Sequence, residues 1–221
     1  MKRVLVIAAH PDDELLGCGG TLLRHAKKGD AVFVLLCCEA TSMRKEAEHQ
    51  EAYMQHAMCA LHVQKLFCLS MEDQRLDGFP LIDLVKGIEE VMETIKPQVV
   101  YTHFHGDNNQ DHRRVFEATM IAARPLDESL EAVYAFYTPS ATEWGRTQGF
   151  TPDTWVDISQ EMEEKIAAFA CYPSEVRPYP HPRSVEGLRH MNAFFGNQCL
   201  MAYAEPFQTV MRTVRREKQL P

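Results

Sequence analysis

Apolar and polar residues fall along the chain in short blocks. Residues 3–9 form an almost unbroken apolar run, the pattern of a strand buried on both faces of a parallel sheet. Gly17 to Gly20 read as a small-residue entry into a helix over 21–28, closed by Gly29-Asp30. A second buried strand is predicted over 31–38. A helix follows over 42–60, with Ser42 as N-cap and Met43, Ala47, Met54, Met58 and Leu61 at helical spacing. Residues 64–69 predict a third strand, 81–96 a helix ended by Pro97, and 98–103 a fourth strand. A further helix over 111–123 stops near Arg124-Pro125.

Strand and helix thus alternate four times. That order predicts an α/β fold: a Rossmann-like, doubly wound, mostly parallel sheet with helices on both faces and right-handed crossovers. Beyond Pro125 the texture changes. Strands are expected over 132–137 and 154–158, and helices over 160–171 and 184–195. The Pro-rich stretch 172–182 between those helices is too irregular for either element. The 221 residues suit one domain, with a core over 1–125 and a C-terminal α/β extension over 126–221 that covers the site.

Composition adds limits. Hydrophobic residues make up 45 % of the chain, and the formal charge is −8, which argues against a nucleic-acid partner. Seven cysteines without metal-knuckle spacing suggest reduced, mostly buried thiols and a reducing compartment. The apolar run at the N-terminus is too short for a signal peptide, and no run approaches the roughly 20 residues of a spanning helix. The expectation is a cytoplasmic protein with no membrane span. Thr209 to Lys218 reads as a basic tail, a solvated end or a homo-oligomer contact.

Two segments carry chemistry. The first strand runs into His10-Pro-Asp-Asp13, at the end of the sheet where α/β proteins bind ligands. Adjacent carboxylates repel unless a cation or shared proton offsets them. Imidazole and carboxylate are ordinary zinc ligands, so one Asp could ligate while the other faces the substrate water. The second segment, Tyr101 to Arg114, places three His and two Asp between 103 and 112 at the end of another strand. His112 could complete a His-Asp-His set, and Asp111 fits an N-cap or a role orienting a ligand. His103 and His105, each taken alone, read better as hydrogen-bonded histidines. No G-x-G-x-x-G turn follows the first strand, which sets aside a dinucleotide site.

Other residues sit on the same face. Arg44, after the second strand, could hold a substrate hydroxyl or phosphate, though a surface Arg is the simpler reading. Asp73 and Arg75 follow the third strand, with a mutual ion pair as the simpler reading. Glu143-Trp144-Gly145 could offer an aromatic face to a sugar or a packed Trp. Arg183 and Arg189 could reach an anionic leaving group or close a helix ion pair.

Together, Ala9-His-Pro-Asp-Asp-Glu14 and Asp111-His112-Arg113 resemble the PIG-L, or LmbE-like, family of zinc-dependent de-N-acetylases. Asp73 to Asp77, Val156 to Ser159, Pro180 to Ser184 and Ala204 to Phe207 look like segments of one branch of it. The resemblance implies that His10, Asp13 and His112 bind Zn2+, or another divalent ion, and that Asp12 is the general base. It implies removal of acetyl from an N-acetylated sugar or conjugate of the N-acetylglucosamine type. Many members carry a second histidine where this chain has Asn109, which can donate a hydrogen bond to an oxyanion but cannot titrate. His181 or His105 would then supply the acid. The alternatives are an amidase for another acyl group or thiol conjugate, and a metal-binding module with little catalysis.

Overall fold

The computed structural model describes residues 1–39, 47–125, 128–145 and 148–215, with the side chains of 47–50 excepted. Arg44, Ser42 and Met43 lie outside the described residues. The elements are β1 (Arg3–Ala8), α1 (Asp13–Lys27), β2 (Ala31–Cys38), α2 (Ala47–Ala60), β3 (Lys65–Met71), α3 (Leu81–Ile95), β4 (Val99–Thr102), α4 (Gln110–Ala122), β5 (Ala132–Phe136), β6 (Thr154–Asp157), α5 (Met162–Phe169), α6 (Val185–Asn197) and β7 (Ala204–Arg212). A short 3₁₀ turn spans Leu76–Gly78.

Seven strands form one sheet in the order β3-β2-β1-β4-β5-β7-β6. The first five pair in parallel, and β7 runs antiparallel between β5 and β6. The expected doubly wound, mostly parallel sheet is therefore present. Its reason is visible in β1. Val4, Val6 and Ala8 point into one core with Leu22 of α1, Met58 of α2 and Ile166 of α5. Leu5, Ile7 and Ala9 point into a second core with Ile88 of α3 and Val115 of α4. A strand wetted on neither face reads as a continuous apolar run.

Three differences from the sequence reading matter. First, α1 starts at Asp13, not Thr21, and runs through Gly17-Cys-Gly-Gly20 with a break at Cys18, where φ is −146°. Glycines disfavour helix, so the pattern pointed to a later start. Tertiary packing overrides this. A Cβ on Gly17 would stand 2.3 Å from the Phe136 ring, and one on Gly20 would stand 2.8 Å from Ile158.

Second, hydrogen bonds from the far end of the chain bridge the break. The fully buried Lys165 donates from Nζ to Leu16 O (3.1 Å) and to Glu205 Oε1 (2.6 Å). Glu205 accepts from the backbone N–H of Gly20 (2.9 Å) and Thr21 (2.7 Å), so a carboxylate from β7 caps the second half of α1. Third, the presumed tail begins as strand: Thr209 to Arg212 pair with β5 as part of β7, while 216–218 lie outside the described residues. The basic residues of this stretch suggested a solvated end, but pairing with β5 makes its first part strand.

Candidate active site

The parallel strands end on one side of the sheet, and a cavity of about 410 Å³ opens there. Its wall comes from the β1–α1 turn (His10, Asp12, Asp13), the start of α4 (Asn109, His112), the loop after β5 (Thr138 to Ala141, Trp144) and Arg183. The segment beyond residue 125 thus covers one side of the site, as expected.

β1 delivers a buried His10 to the sheet edge. Its backbone N–H (2.9 Å) and its Nδ1 (3.1 Å) both meet Asp13 Oδ2. The same Asp13 oxygen lies 3.3 Å from His112 Nε2. Donors around a tetrahedral zinc, each about 2.0–2.1 Å from the ion, stand about 3.3 Å apart. These three atoms lie within 4.8 Å of one another, so the donor set fits a divalent ion in spacing and in chemistry.

Each imidazole is held from behind by a carboxylate. His10 Nε2 faces Asp111 Oδ2 at 3.0 Å and Asp73 Oδ1 at 3.1 Å. His112 Nδ1 faces Asp107 Oδ2 at 2.9 Å, and Asp107 Oδ1 accepts from Thr142 Oγ1 at 2.6 Å. Such contacts fix ring orientation and leave the opposite nitrogen as a lone pair for a metal. Asp111 is further fixed by the N–H groups of Gln74 (2.8 Å) and Leu76 (3.1 Å). It is not the N-cap of α4. Asn109 is, through Oδ1 accepting from Asp111 N at 2.9 Å.

Charge balance points the same way. Burial lowers the basicity of His10, but the carboxylates of Asp111, Asp13 and Asp73 outweigh it and hold the ring well above its ordinary pKa. His112 is likewise pushed up to about 9 against burial, by Asp13 and Asp107. Burial would raise Asp13, yet His112, His103 and His10 hold it well below the usual range. Positive charge is favoured at this spot, and a divalent cation is one way to supply it.

His103 is different. Its Nε2 accepts from Ala9 N–H at 2.8 Å, and burial pushes its pKa down to about 4, so it packs as a neutral ring under His112 at a 3.8 Å centroid distance. Glu14, fully buried, is pushed up to about 8 by burial. It accepts from Asp12 N–H at 3.1 Å and from Tyr172 OH at 3.2 Å.

Asp12 has φ 106°, a left-handed conformation that is unusual for Asp. Its carbonyl starts α1 by accepting from Leu15 and Leu16, while its carboxylate makes no capping bond. Instead Oδ2 lies 3.2 Å from Arg183 Nη1, which also meets the buried Glu175 Oε2 at 2.8 Å.

The remaining expected residues divide. Asp73 joins the site through His10 and forms no pair with Arg75, whose Nε meets Glu72 at 3.1 Å with the guanidinium largely in solvent. His105 does not reach the cavity; its ring packs against Phe104 (4.3 Å) and Phe116 (5.3 Å). His181 stands behind the wall, edge-on to Trp144 at 5.7 Å, its Nδ1 accepting from Arg183 N–H at 3.0 Å. Slight burial and the charges of Arg183 and Arg177 lower its pKa. Trp144 is half-exposed at the cavity mouth. Arg189 pairs with Glu163 at 2.5 Å. Sequence reasoning missed Asp107, Gln74 and Glu175. Asp107 lay inside the quoted His/Asp cluster and Gln74 inside the segment Asp73 to Asp77, whereas nothing local marked Glu175.

The model of the PIG-L family, described as GlcNAc-PI de-N-acetylase, matches residues 5–123, more than half the chain. The chain belongs to the PIG-L family. Among similar proteins, the uncharacterised deacetylase YaiS of Escherichia coli is 28 % identical over 78 % of this chain and 91 % of its own. A 4-oxalmesaconate hydratase of Pseudomonas putida is 26 % identical over 96 % of this chain and 91 % of its own. A diacetylchitobiose deacetylase of Thermococcus kodakarensis is 26 % identical over 95 % and 84 %. In structure, the conserved protein TT1542 of Thermus thermophilus superposes with a TM-score of 0.80 at 25 % identity, covering all of both chains.

Proposed function

We propose that this PIG-L protein is a metal-dependent N-deacetylase acting on an N-acetylated sugar or sugar conjugate of the N-acetylglucosamine type, releasing acetate and a free amine. The carrying observation is the convergence of His10 Nδ1, Asp13 Oδ2 and His112 Nε2 beside the carboxylate of Asp12 in one cavity. A zinc or other divalent ion held by those three residues would supply an acidified water and an electrophile for the amide carbonyl.

The protein's own groups do the rest. Asp12 accepts the proton of the attacking water and returns it to the departing nitrogen. Arg183 holds Asp12 in place through Nη1 and forms part of the cavity wall beside it. Asn109 spends Oδ1 on the cap, which leaves Nδ2 to donate to the carbonyl oxygen as negative charge develops there. Trp144 offers a ring face at the mouth for a sugar.

Charge supports a neutral substrate. The cavity wall carries Asp12 and Asp13 against Arg183, with Asp73, Asp107 and Asp111 packed behind. Such a site disfavours an anion and suits a neutral amide whose product amine becomes a cation. All seven cysteines are free thiols, which supports a reducing, cytoplasmic location. Among the described residues no helix is long and apolar enough to cross a membrane.

The test is a mass-spectrometric screen of metal-loaded protein against N-acetylated sugars, nucleotide sugars and thiol conjugates, alongside longer N-acyl chains. Acetate release that disappears in Asp12→Asn, with metal content retained, is expected. Metal binding without hydrolysis across the panel would leave a binding module. Addition of water without fragmentation would move the chain toward the hydratase relative.

A further inference from the structure

A second cavity of about 310 Å³ lies at the other end of α1, and none of its lining residues lines the catalytic cavity. Thr21 is eight residues beyond the start of α1, about 12 Å along the helix at 1.5 Å per residue. Two buried polar atoms on the wall, Thr21 Oγ1 and Trp155 Nε1, have no hydrogen-bond partner among the described residues. Thr21 is only 1 % exposed. Buried donors are normally satisfied, so two on one cavity wall call for a partner.

The other groups sort by what they still offer. His25 is spent: Nδ1 meets Asp30 at 2.8 Å and Nε2 meets Tyr101 OH at 3.1 Å. Asp157 gives Oδ1 to Ser159, whose N–H (2.9 Å) and hydroxyl (2.5 Å) both reach it, and its negative charge stands beside Arg24 and offsets part of that cation. Arg24 gives one nitrogen to Asp157 O, and the Lys28 ammonium has no partner among the described residues. What remains is a hydroxyl, an indole N–H and two cations against the one carboxylate of Asp157, over an apolar floor that includes Tyr101 and Met201. Donors and cations on an apolar floor match one ligand chemistry, an oxygen anion carried on a hydrocarbon body.

We propose that this cavity is a second binding site for a small amphipathic carboxylate. Its apolar part lies against Trp155, Tyr101 and Met201, and its carboxylate faces Arg24 and Lys28 within reach of the Trp155 N–H. The proposal rests on this cavity alone and not on the reaction at the other end of α1.

The two tryptophans give two indole N–H resonances in a ¹⁵N-labelled sample, and Trp144→Phe assigns them. Titration with hexanoate is expected to shift the Trp155 resonance saturably, while hexylamine, its cationic counterpart, leaves it in place. Arg24→Gln with Lys28→Gln should weaken hexanoate about tenfold or more. Lys28→Gln alone, at an exposed position, should weaken it several-fold and guards against misfolding of the double variant. An unshifted Trp155, a shift confined to Trp144, an equal response to hexylamine, or unchanged affinity in Lys28→Gln and the double variant would each overturn the proposal.

Discussion

One guanidinium joins the two halves of the candidate site: Arg183 Nη1 lies 3.2 Å from Asp12 Oδ2 and 2.8 Å from Glu175 Oε2. Asp12 sits at the N-terminus of α1 with left-handed backbone and makes no side-chain cap, and this contact helps to aim its carboxylate. Arg183→Gln should lower kcat about 10- to 100-fold with metal content unchanged, because the base is no longer held in line. It should also cost about 2–4 kcal/mol of stability, since the buried Glu175 loses a counter-charge. Arg183→Lys should recover charge but not the two-way reach, and so should fall between. Steady-state kinetics with urea unfolding reads both effects. Wild-type turnover in Arg183→Gln would remove Arg183 from the positioning of Asp12.

The carboxylates behind the imidazoles give a graded test of the metal site. His10→Ala and His112→Ala each remove a donor and should abolish stoichiometric metal binding. Asp111→Asn and Asp107→Asn leave every proposed ligand in place but weaken the grip on His10 Nε2 and His112 Nδ1. Metal affinity should then fall about 10- to 100-fold without full loss. Competition against a chromophoric chelator measures this series. Equal affinity in wild type and Asp111→Asn would show that Asp111 acts only on the fold, through Gln74 and Leu76.

Much of this was legible in the chain because the signals are local. A run such as Val4 to Ala9 has one reading when both faces are buried, and a strand-end His-Pro-Asp-Asp puts its chemistry where the sheet binds ligands. What could not be read depends on distant partners. The helix through Gly17 to Gly20 needs Phe136, Ile158, Lys165 and Glu205, which lie more than a hundred residues away in sequence. β7 contains a proline and charged positions, and becomes a strand because β5 and β6 pair with it on either side. His105 looked available in a His-rich string, but its ring packs against Phe104 and Phe116.

Away from the site, His25 should leave a mark on acid stability. Burial lowers its pKa, with Lys28 and Lys2 adding to this and Asp30 opposing it; Tyr101 OH faces its other nitrogen. With the folded value below the unfolded 6.5, the unfolded chain takes up the proton first as pH falls. The stability contribution is therefore full above pH 6.5 and lost as pH falls through the folded value. His25→Gln should flatten the stability curve just below pH 6.5 by up to one proton, a slope of about 1.4 kcal/mol per pH unit. Urea midpoints between pH 5 and 8 measure it. An identical slope in the variant would show that the ring titrates alike in both states.

The Lys165–Glu205 pair carries the sharpest structural prediction. Both side chains are essentially without solvent contact, and their four hydrogen bonds close the gap that the Cys18 break leaves in α1. Removing one charge strands the other in the core, so Lys165→Met should cost about 3–5 kcal/mol, and Glu205→Leu, which strands Lys165, should cost about as much. Removing both in Lys165→Met with Glu205→Leu erases the stranded charge, but leaves the N–H groups of Gly20 and Thr21 without an acceptor. The double variant should therefore be less stable than wild type yet more stable than the sum of the single losses, with a coupling term above about 1 kcal/mol. Urea unfolding of the four proteins closes the cycle. Strict additivity would mean that the two side chains act independently, and that α1 holds its break by the packing of Gly17 and Gly20 alone.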